Sequence, residues 1–391
     1  MISPERIKQT LLELLAIPSP CGFTDEIVRY VGTLLTELGV EYRLTRRGTI
    51  RARLPGQRTG HARAMVTHVD TIGAMVRQIR DDGRVMVAPI GAWSSRFAEG
   101  ARVVVFSEHG AYRGCLLPML EWGVSHDQGV EAVPQDWDHL ELRLEEPVFT
   151  HEDVLDLGIE VGNFVALDST PDILENGYII GRNLDNKAGT AAVLELIRHL
   201  IETDAQISHD IYILFTISET TGHGMGGAIL PEVSELVTVD FESVRATEKS
   251  PFKRVTLARG DASGPYDYHL TAHLHDLAVR AEIPFQQKYL SAFHSDAAAA
   301  LAAGHDVRTA VVAYAGDASH SVERTHTDSL TNVCRMLEAY ATSEPTFAED
   351  APTVKVEQFP RQITRENTPP TLRHGPEPGR VVYPFEDDDT P

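Results

Sequence analysis

Cysteine is scarce in this 391-residue chain: Cys21, Cys115 and Cys334 show no CxxC spacing or other pairing. That argues against a disulfide framework or a cysteine-bound zinc module and suits a reducing compartment. The three are expected to be small buried hydrophobes. Basic residues are outnumbered, 35 Lys and Arg against 57 Asp and Glu, for a formal net charge of −22. Nucleic acid is therefore not an expected partner, because phosphate binding needs a basic stripe. No apolar run reaches the roughly eighteen residues that a membrane-spanning helix needs, so no membrane partner is expected. The opening MISPERIKQTLLELLAIPSP lacks a basic start, an apolar block and a cleavage site. It reads as an amphipathic helix, and the expected location is cytoplasmic.

What is present points to an α/β chain long enough for a large core and a smaller second domain. Helical spacing links Ile27, Val28, Val31, Leu34, Leu35 and Leu38, with Gly39 as the stop. Strand text follows in YRLTRRGTIRARL and ARAMVTH. Over residues 71–165, short alternating stretches such as ARVVVFSE sit between Gly, Pro and Asp, which predicts an inserted β-rich domain. From about residue 166 the α/β rhythm returns: YIIGRNL, the helix AGTAAVLELIRHLIE, then DIYILFTIS and ELVTVD. The helix YDYHLTAHLHDLAVRAE and the buried strand DVRTAVVAYAG come later. The expected architecture is a central mixed sheet between helix layers, built from residues 1–70 and 166–344. Residues 345–391 are rich in Pro and Thr and carry the acidic run Glu386 to Asp389, which predicts a tail.

Lone acids and histidines fall where strand text ends. His68 and Asp70 follow ARAMVTH, Asp185 follows YIIGRNL, Glu219 follows DIYILFTIS, Asp240 closes ELVTVD and His320 follows AVVAYAG. In open α/β sheets, ligands bind beyond the carboxyl ends of the strands. Singly, such residues are usually solvated or capping groups. Together they form the histidine and carboxylate set that holds zinc-like divalent ions.

The segments THVDTIGAMV, GRNLDNKAGTAAVLELI, FTISETTGHGMGGA, VTVDFE, HSDAAAAL and ASHSVERTHTDSL resemble metallopeptidase family 42, the co-catalytic dinuclear aminopeptidases of glutamyl and deblocking type. The resemblance implies a zinc-aminopeptidase-like fold, a β-rich assembly domain, and one or two divalent ions per subunit, zinc first, with cobalt or manganese as alternatives. It implies Asp185 as the bridge, His68 and Asp240 on one ion, and His320 on the other. Asp70 would hydrogen-bond the His68 ring and Glu219 would be the general base. Small peptides would be the substrates and a homo-oligomer, dimer or dodecamer, the assembly. GDASGPYDYHL and DASHSVERTHTDSL are most similar to the subgroup associated with synthesis of the osmoprotectant N-acetylglutaminylglutamine amide.

One position departs from the family pattern, which has Glu-Glu where this sequence has Glu219-Thr220. A neutral hydroxyl is a weak ligand, so the ion at His320 would bind loosely or recruit Glu219 or His223. Other readings remain open at this point: an amidohydrolase or carboxypeptidase of the same superfamily, and a catalytically weakened scaffold. A dinucleotide enzyme is suggested by Gly222, Gly224 and Gly227 after a strand, but Pro231 leaves no room for the helix that would hold pyrophosphate. His269, His273 and His275 are expected as exposed helix residues.

Overall fold

Near-continuous apolar text is the mark of parallel strands covered on both faces. The strands His209–Thr216, Arg58–His68, Val233–Ser243 and Arg308–Asp317 carry it, and they lie side by side and parallel in that order. The computed structural model describes residues 1–119, 134–244, 251–348 and 350–360. Antiparallel strands widen the sheet on both flanks. Ile50–Leu54 and Glu41–Leu44 extend it beyond His209–Thr216, while Val255–Asp261 and Glu323–His326 both pair with Arg308–Asp317. The result is a twelve-stranded mixed sheet.

Strand alternation sends side chains to two faces. On one face Ile211, Ile213, Phe215, Val237, Val239 and Val312 pack with buried residues of five helices, Pro4–Leu15, Asp25–Glu37, Leu184–Glu202, Tyr268–Arg280 and Thr327–Thr342. On the other, Ala64, Val66, Leu214 and Leu236 meet Met225, Ala228 and Ala300. A fully buried Val, Leu or Ile contributes roughly 1.5–3 kcal/mol. The expected central mixed sheet between helix layers is what the chain forms.

Beyond His68 the chain enters a closed barrel of six strands: Gly73–Ile79, Val85–Ile90, Leu140–Leu144, Gly110–Pro118, Arg102–Ser107 and Phe164–Leu167. Closure leaves no open edge. The barrel has its own core of Val76, Val87, Val103, Val105, Leu142 and Val165. Its helices are short, Ser95–Ala98 and His151–Asp156, the latter started by a capping box of Thr150 and Asp153. Residues 120–133 of the expected insertion lie outside the described residues.

Two helices complete the layers. Asp296–Ala302 is nearly all alanine, so it shows no polar face to contrast with an apolar one. Thr327–Thr342 sets buried Leu330, Val333, Leu337 and Tyr340 at helical spacing along one face. Cys334 is buried, but Cys21 and Cys115 are only half-buried, which departs from the expectation of three buried thiols.

At the amino ends of the parallel strands, fully buried Arg63 donates to the carbonyls of Tyr340 and Ala341 at 2.6 and 2.9 Å, capping the last turn of Thr327–Thr342. The Thr346 N–H donates to Glu235 at 2.7 Å, and Arg308 pairs with Asp350 at 2.5 Å. Thr346 and Asp350, placed by composition with the tail, are thus tied to strand residues. Residues 351–360 carry no helix or strand and are not part of the unit Met1–Asp350. The acidic run Glu386 to Asp389 lies outside the described residues. No helix among the described residues is long and apolar enough to cross a membrane.

Candidate active site

Parallel strands deliver their carboxyl ends to one edge of the sheet. His68 is the last residue of Arg58–His68, and Glu219 lies three residues beyond Thr216, the end of the neighbouring strand. Asp240 projects from within Val233–Ser243, because that strand runs three residues further than its text suggested. Asp185 opens the helix Leu184–Glu202 with non-helical dihedrals, and His320 follows Arg308–Asp317 in a left-handed conformation.

These five side chains come together. His68 Nε2 lies 3.4 Å from Asp185 Oδ1, 3.5 Å from Glu219 Oε2 and 3.9 Å from Asp240 Oδ1. The other oxygen of Asp185, Oδ2, lies 3.6 Å from His320 Nε2. Asp185 therefore stands between the two histidines. Among the described residues, His68, Asp185 and Asp240 can offer ligand atoms all within 4.8 Å of one another.

Asp70 acts differently from the expectation. The His68 Nδ1 lies 2.9 Å from the Asp70 carbonyl oxygen, while the Asp70 carboxylate is 3.6 Å away. That carboxylate has better donors: the Glu219 N–H at 3.1 Å, the Thr220 N–H at 3.2 Å and the Thr220 hydroxyl at 2.7 Å. With Nδ1–H donated to the carbonyl, Nε2 faces the carboxylates. Among the described residues, buried Nε2 has no hydrogen-bond partner.

Sequence reasoning missed three contributors. Buried Glu323 accepts the N–H of Asp185 through Oε2 at 3.1 Å and that of His320 through Oε1 at 2.9 Å. It lies only three residues after His320, yet a strand-edge acid carries no distinguishing pattern. The Ala92 carbonyl, from the barrel segment, lies 2.9 Å from His320 Nδ1 and fixes that ring. A backbone contact of this kind has no residue signature. Asp296, buried at the start of its helix, accepts the Thr216 hydroxyl at 2.5 Å.

The electrostatics favour a cation. Burial, outweighing the neighbouring His68, and the crowding of Asp240, Asp296 and Asp185 hold the Glu219 carboxyl well above the usual range. Burial and Asp185 do the same to Asp240. Burial pulls His68 down, but Glu219, Asp185, Asp70 and Asp240 together carry it well above the usual histidine value. Burial and Asp185 push Glu323 up to about 8. A buried cluster of carboxylates around one unpartnered ring nitrogen is a donor set that fits a divalent ion.

The cluster opens on a cavity of about 1270 Å³, lined by Asp185, Glu219, Asp240 and His320 together with Phe241, Leu290 and Phe293. His223 does not line it and sits 3.4 Å from the Thr221 hydroxyl. The helix histidines stay apart. His269 packs against Phe347, His273 lies 3.1 Å from the Ser343 hydroxyl, and His275 contacts its neighbour Asp276. No helix follows Gly222 to Gly227, which removes the dinucleotide reading.

Comparison with known proteins agrees with this arrangement. The family model for M42 glutamyl aminopeptidases matches residues 48–336. YhfE of Bacillus subtilis (strain 168), whose own aminopeptidase designation is provisional, is 35% identical over 344 residues, 88% of this chain and 99% of that protein. Lysyl aminopeptidase of Pyrococcus furiosus is 25% identical over 241 residues, 60% of this chain and 66% of that protein. Among solved structures, aminopeptidase APDkam598 of Desulfurococcus kamchatkensis superposes with a TM-score of 0.78 at 21% identity, covering 87% of this chain and 95% of that one. The TET1 peptidase of Pyrococcus horikoshii, described as assembling into a tetrahedron or a large octahedral shell, gives 0.75 at 20% identity over 86% of this chain and 99% of that one. At such identities these two structures speak for the fold. The aminopeptidase names of the relatives do not favour the amidohydrolase or carboxypeptidase alternative. By the extent of the family match and the near full-length relative, the chain belongs to the M42 glutamyl aminopeptidase family and is a peptide hydrolase of aminopeptidase type.

Proposed function

We propose that the chain removes N-terminal residues from small peptides at a divalent-metal centre held by His68, Asp185 and Asp240, with Glu219 as general base. The observation that carries this reading is the buried, unpartnered His68 Nε2 facing three carboxylates. A divalent ion bound there would polarise the scissile carbonyl and weaken the hold of water on its proton. Histidine with carboxylates suits zinc first, and cobalt or manganese also.

The side chains do the rest. The Asp70 carbonyl fixes the His68 ring, so Nε2 is aimed at the carboxylates, and an ion bound there would take the place of its proton. The Asp70 carboxylate grips the Glu219 and Thr220 amides and so sets where the Glu219 carboxylate stands. Glu219 lines the cavity, and its raised proton affinity lets it take a proton from the attacking water and return it to the departing amine. The apolar residues Phe241, Leu290 and Phe293 offer surface to a substrate side chain. A homo-oligomer, dimer or dodecamer, is proposed for assembly, supported by the shells formed by TET relatives of the same fold. The cytoplasm is the proposed location.

The test is hydrolysis of aminoacyl p-nitroanilides before and after exhaustive chelation and reloading with zinc, cobalt or manganese. Loss on chelation and recovery on reloading is expected. Undiminished hydrolysis by metal-free protein would end this reading.

A further inference from the structure

We infer that Asp296 is a positioning residue for Glu219: its carboxylate clasps both limbs of the loop that carries the base, and the segment Asp261–Tyr266 braces it from behind. The inference rests on the aminopeptidase reading, in which Glu219 is the general base, and concerns what sets its position. The chain leaves the strand His209–Thr216 three residues before Glu219, and Thr216 lies level with His68 in the parallel register. Thr216 is fully buried, and its hydroxyl donates to Asp296 Oδ2 at 2.5 Å. The loop returns past the same side chain: a Cβ built on Gly224 would lie 2.0 Å from Asp296 Oδ1. One carboxylate thus holds the entry of the loop and packs against its exit.

Between these limbs the loop is short and bonded to itself. The Gly222 N–H donates to the Glu219 carbonyl at 2.6 Å, and the His223 N–H donates to the Ser218 carbonyl at 2.9 Å. A turn closed in this way moves as one piece, so a shift of Thr216 or Gly224 carries Glu219 with it. Asp70 grips the middle of the loop, at Glu219 and Thr220, and leaves both limbs to other partners.

Asp296 is itself braced. It opens a helix whose cap, Ser295, accepts the Ala297 N–H at 3.2 Å. Ser295 Oγ lies 3.3 Å from the Tyr266 hydroxyl, which donates to Asp261 Oδ2 at 2.8 Å. Tyr266 gives its single proton to Asp261, so the Ser295 hydroxyl is the donor to Tyr266. The other Asp261 oxygen accepts the N–H and the hydroxyl of Ser263, at 2.8 and 2.5 Å. Asp261, Tyr266 and Ser295 are all buried. The stretch GDASGPYDYHL thereby gains a use: it starts a chain of hydrogen bonds that ends at the helix presenting Asp296. A hydroxyl bonded to a carboxylate is about twice as strong as a neutral pair, which suits a fixed clasp.

Hydrolysis of leucine p-nitroanilide by zinc-loaded, full-chain variants tests the assignment, together with hydrogen exchange read by mass spectrometry. Thr216→Val keeps the shape and deletes the donor, while Thr216→Ser keeps the donor. A misplacement of ~1 Å costs up to about 10²-fold, so Thr216→Val should lower kcat about 10–100-fold. KM should change by less than about threefold, and Thr216→Ser should recover most of the lost kcat. In a Glu219→Gln background Thr216→Val should cost nothing further, because it acts through the base. The segment 217–224 should exchange at least about tenfold faster in Thr216→Val, and at the wild-type rate in Thr216→Ser. Should Thr216→Val fail to fold, Tyr266→Phe carries the same test in the same two backgrounds, with a smaller loss expected. Equal losses in both backgrounds, or kcat and exchange both unchanged, would overturn the inference. A zinc-loaded wild type inactive on anilides would strike the aminopeptidase reading, and the exchange rates would still decide whether the clasp exists.

Discussion

Thr220 and Asp70 share a hydrogen bond in which the hydroxyl donates to the carboxylate at 2.7 Å, beside the Thr220 N–H at 3.2 Å. The Glu219 N–H reaches the other oxygen of the same carboxylate. Asp70 thus holds the residue next to it in the mechanism by the backbone. Asp70→Asn would set an NH₂ group against donors, leaving a buried polar conflict of about 1–3 kcal/mol. A fall in kcat is expected, with zinc affinity changed by less than about tenfold, because the Asp70 carbonyl still holds the His68 ring. A larger loss of zinc affinity than of kcat would show that the carboxylate orients the metal ligand after all.

Glu219→Gln keeps the shape and removes the base. The expected loss in kcat is about 10²–10⁴-fold. Zinc stoichiometry, read by calorimetry, should stay at the wild-type value. A variant that loses its ion instead would identify Glu219 as a ligand.

The convergence of His68, Asp185, Asp240, Glu219 and His320 was legible because parallel strands all end on one side, so acids after strand text share an edge. Chain order alone was enough for that. What stayed hidden depends on contacts between distant segments. Glu323 acts through its carboxylate on the backbone amides of Asp185 and His320, and Ala92 through a carbonyl, so no local sequence pattern marks either. The direction of the Asp70 carboxylate was hidden for a similar reason, since its strongest partners are the backbone and hydroxyl of a loop 150 residues away. The barrel strands were visible as alternation, but their closure was not, because pairing order is a property of the fold.

Gly224 meets Asp296 closely: a Cβ built there would lie 2.0 Å from Asp296 Oδ1, a buried oxygen with no hydrogen-bond partner among the described residues. The glycine is needed for approach. Gly224→Ala should lower thermal stability and catalytic activity together. Asp296→Ala should relieve part of the stability loss, so the double variant should be more stable than the sum of the single effects. Strict additivity in thermal unfolding would mean that the two residues do not press on each other.

Arg63 replaces solvent for the final turn of Thr327–Thr342, and its guanidinium lies 4.7 Å from the centre of the Tyr340 ring. Lysine keeps the charge but not the planar fork. Arg63→Lys should therefore cost about 2–3 kcal/mol in denaturant unfolding, on the scale of hydrogen bonds to charged groups. A cost within about 0.5 kcal/mol would show that charge alone suffices.

The hydrogen bond between His320 and the Ala92 carbonyl crosses from the main sheet to the barrel segment. Gly91 and Ala92 also line the cavity. A version of the protein shortened by excising residues 73–167 would retain His68, Asp185, Glu219 and Asp240, yet its His320 ring would be free to spin. The barrel segment is then no detachable accessory: one histidine of the catalytic edge owes the orientation of its ring to a carbonyl that the main sheet does not supply.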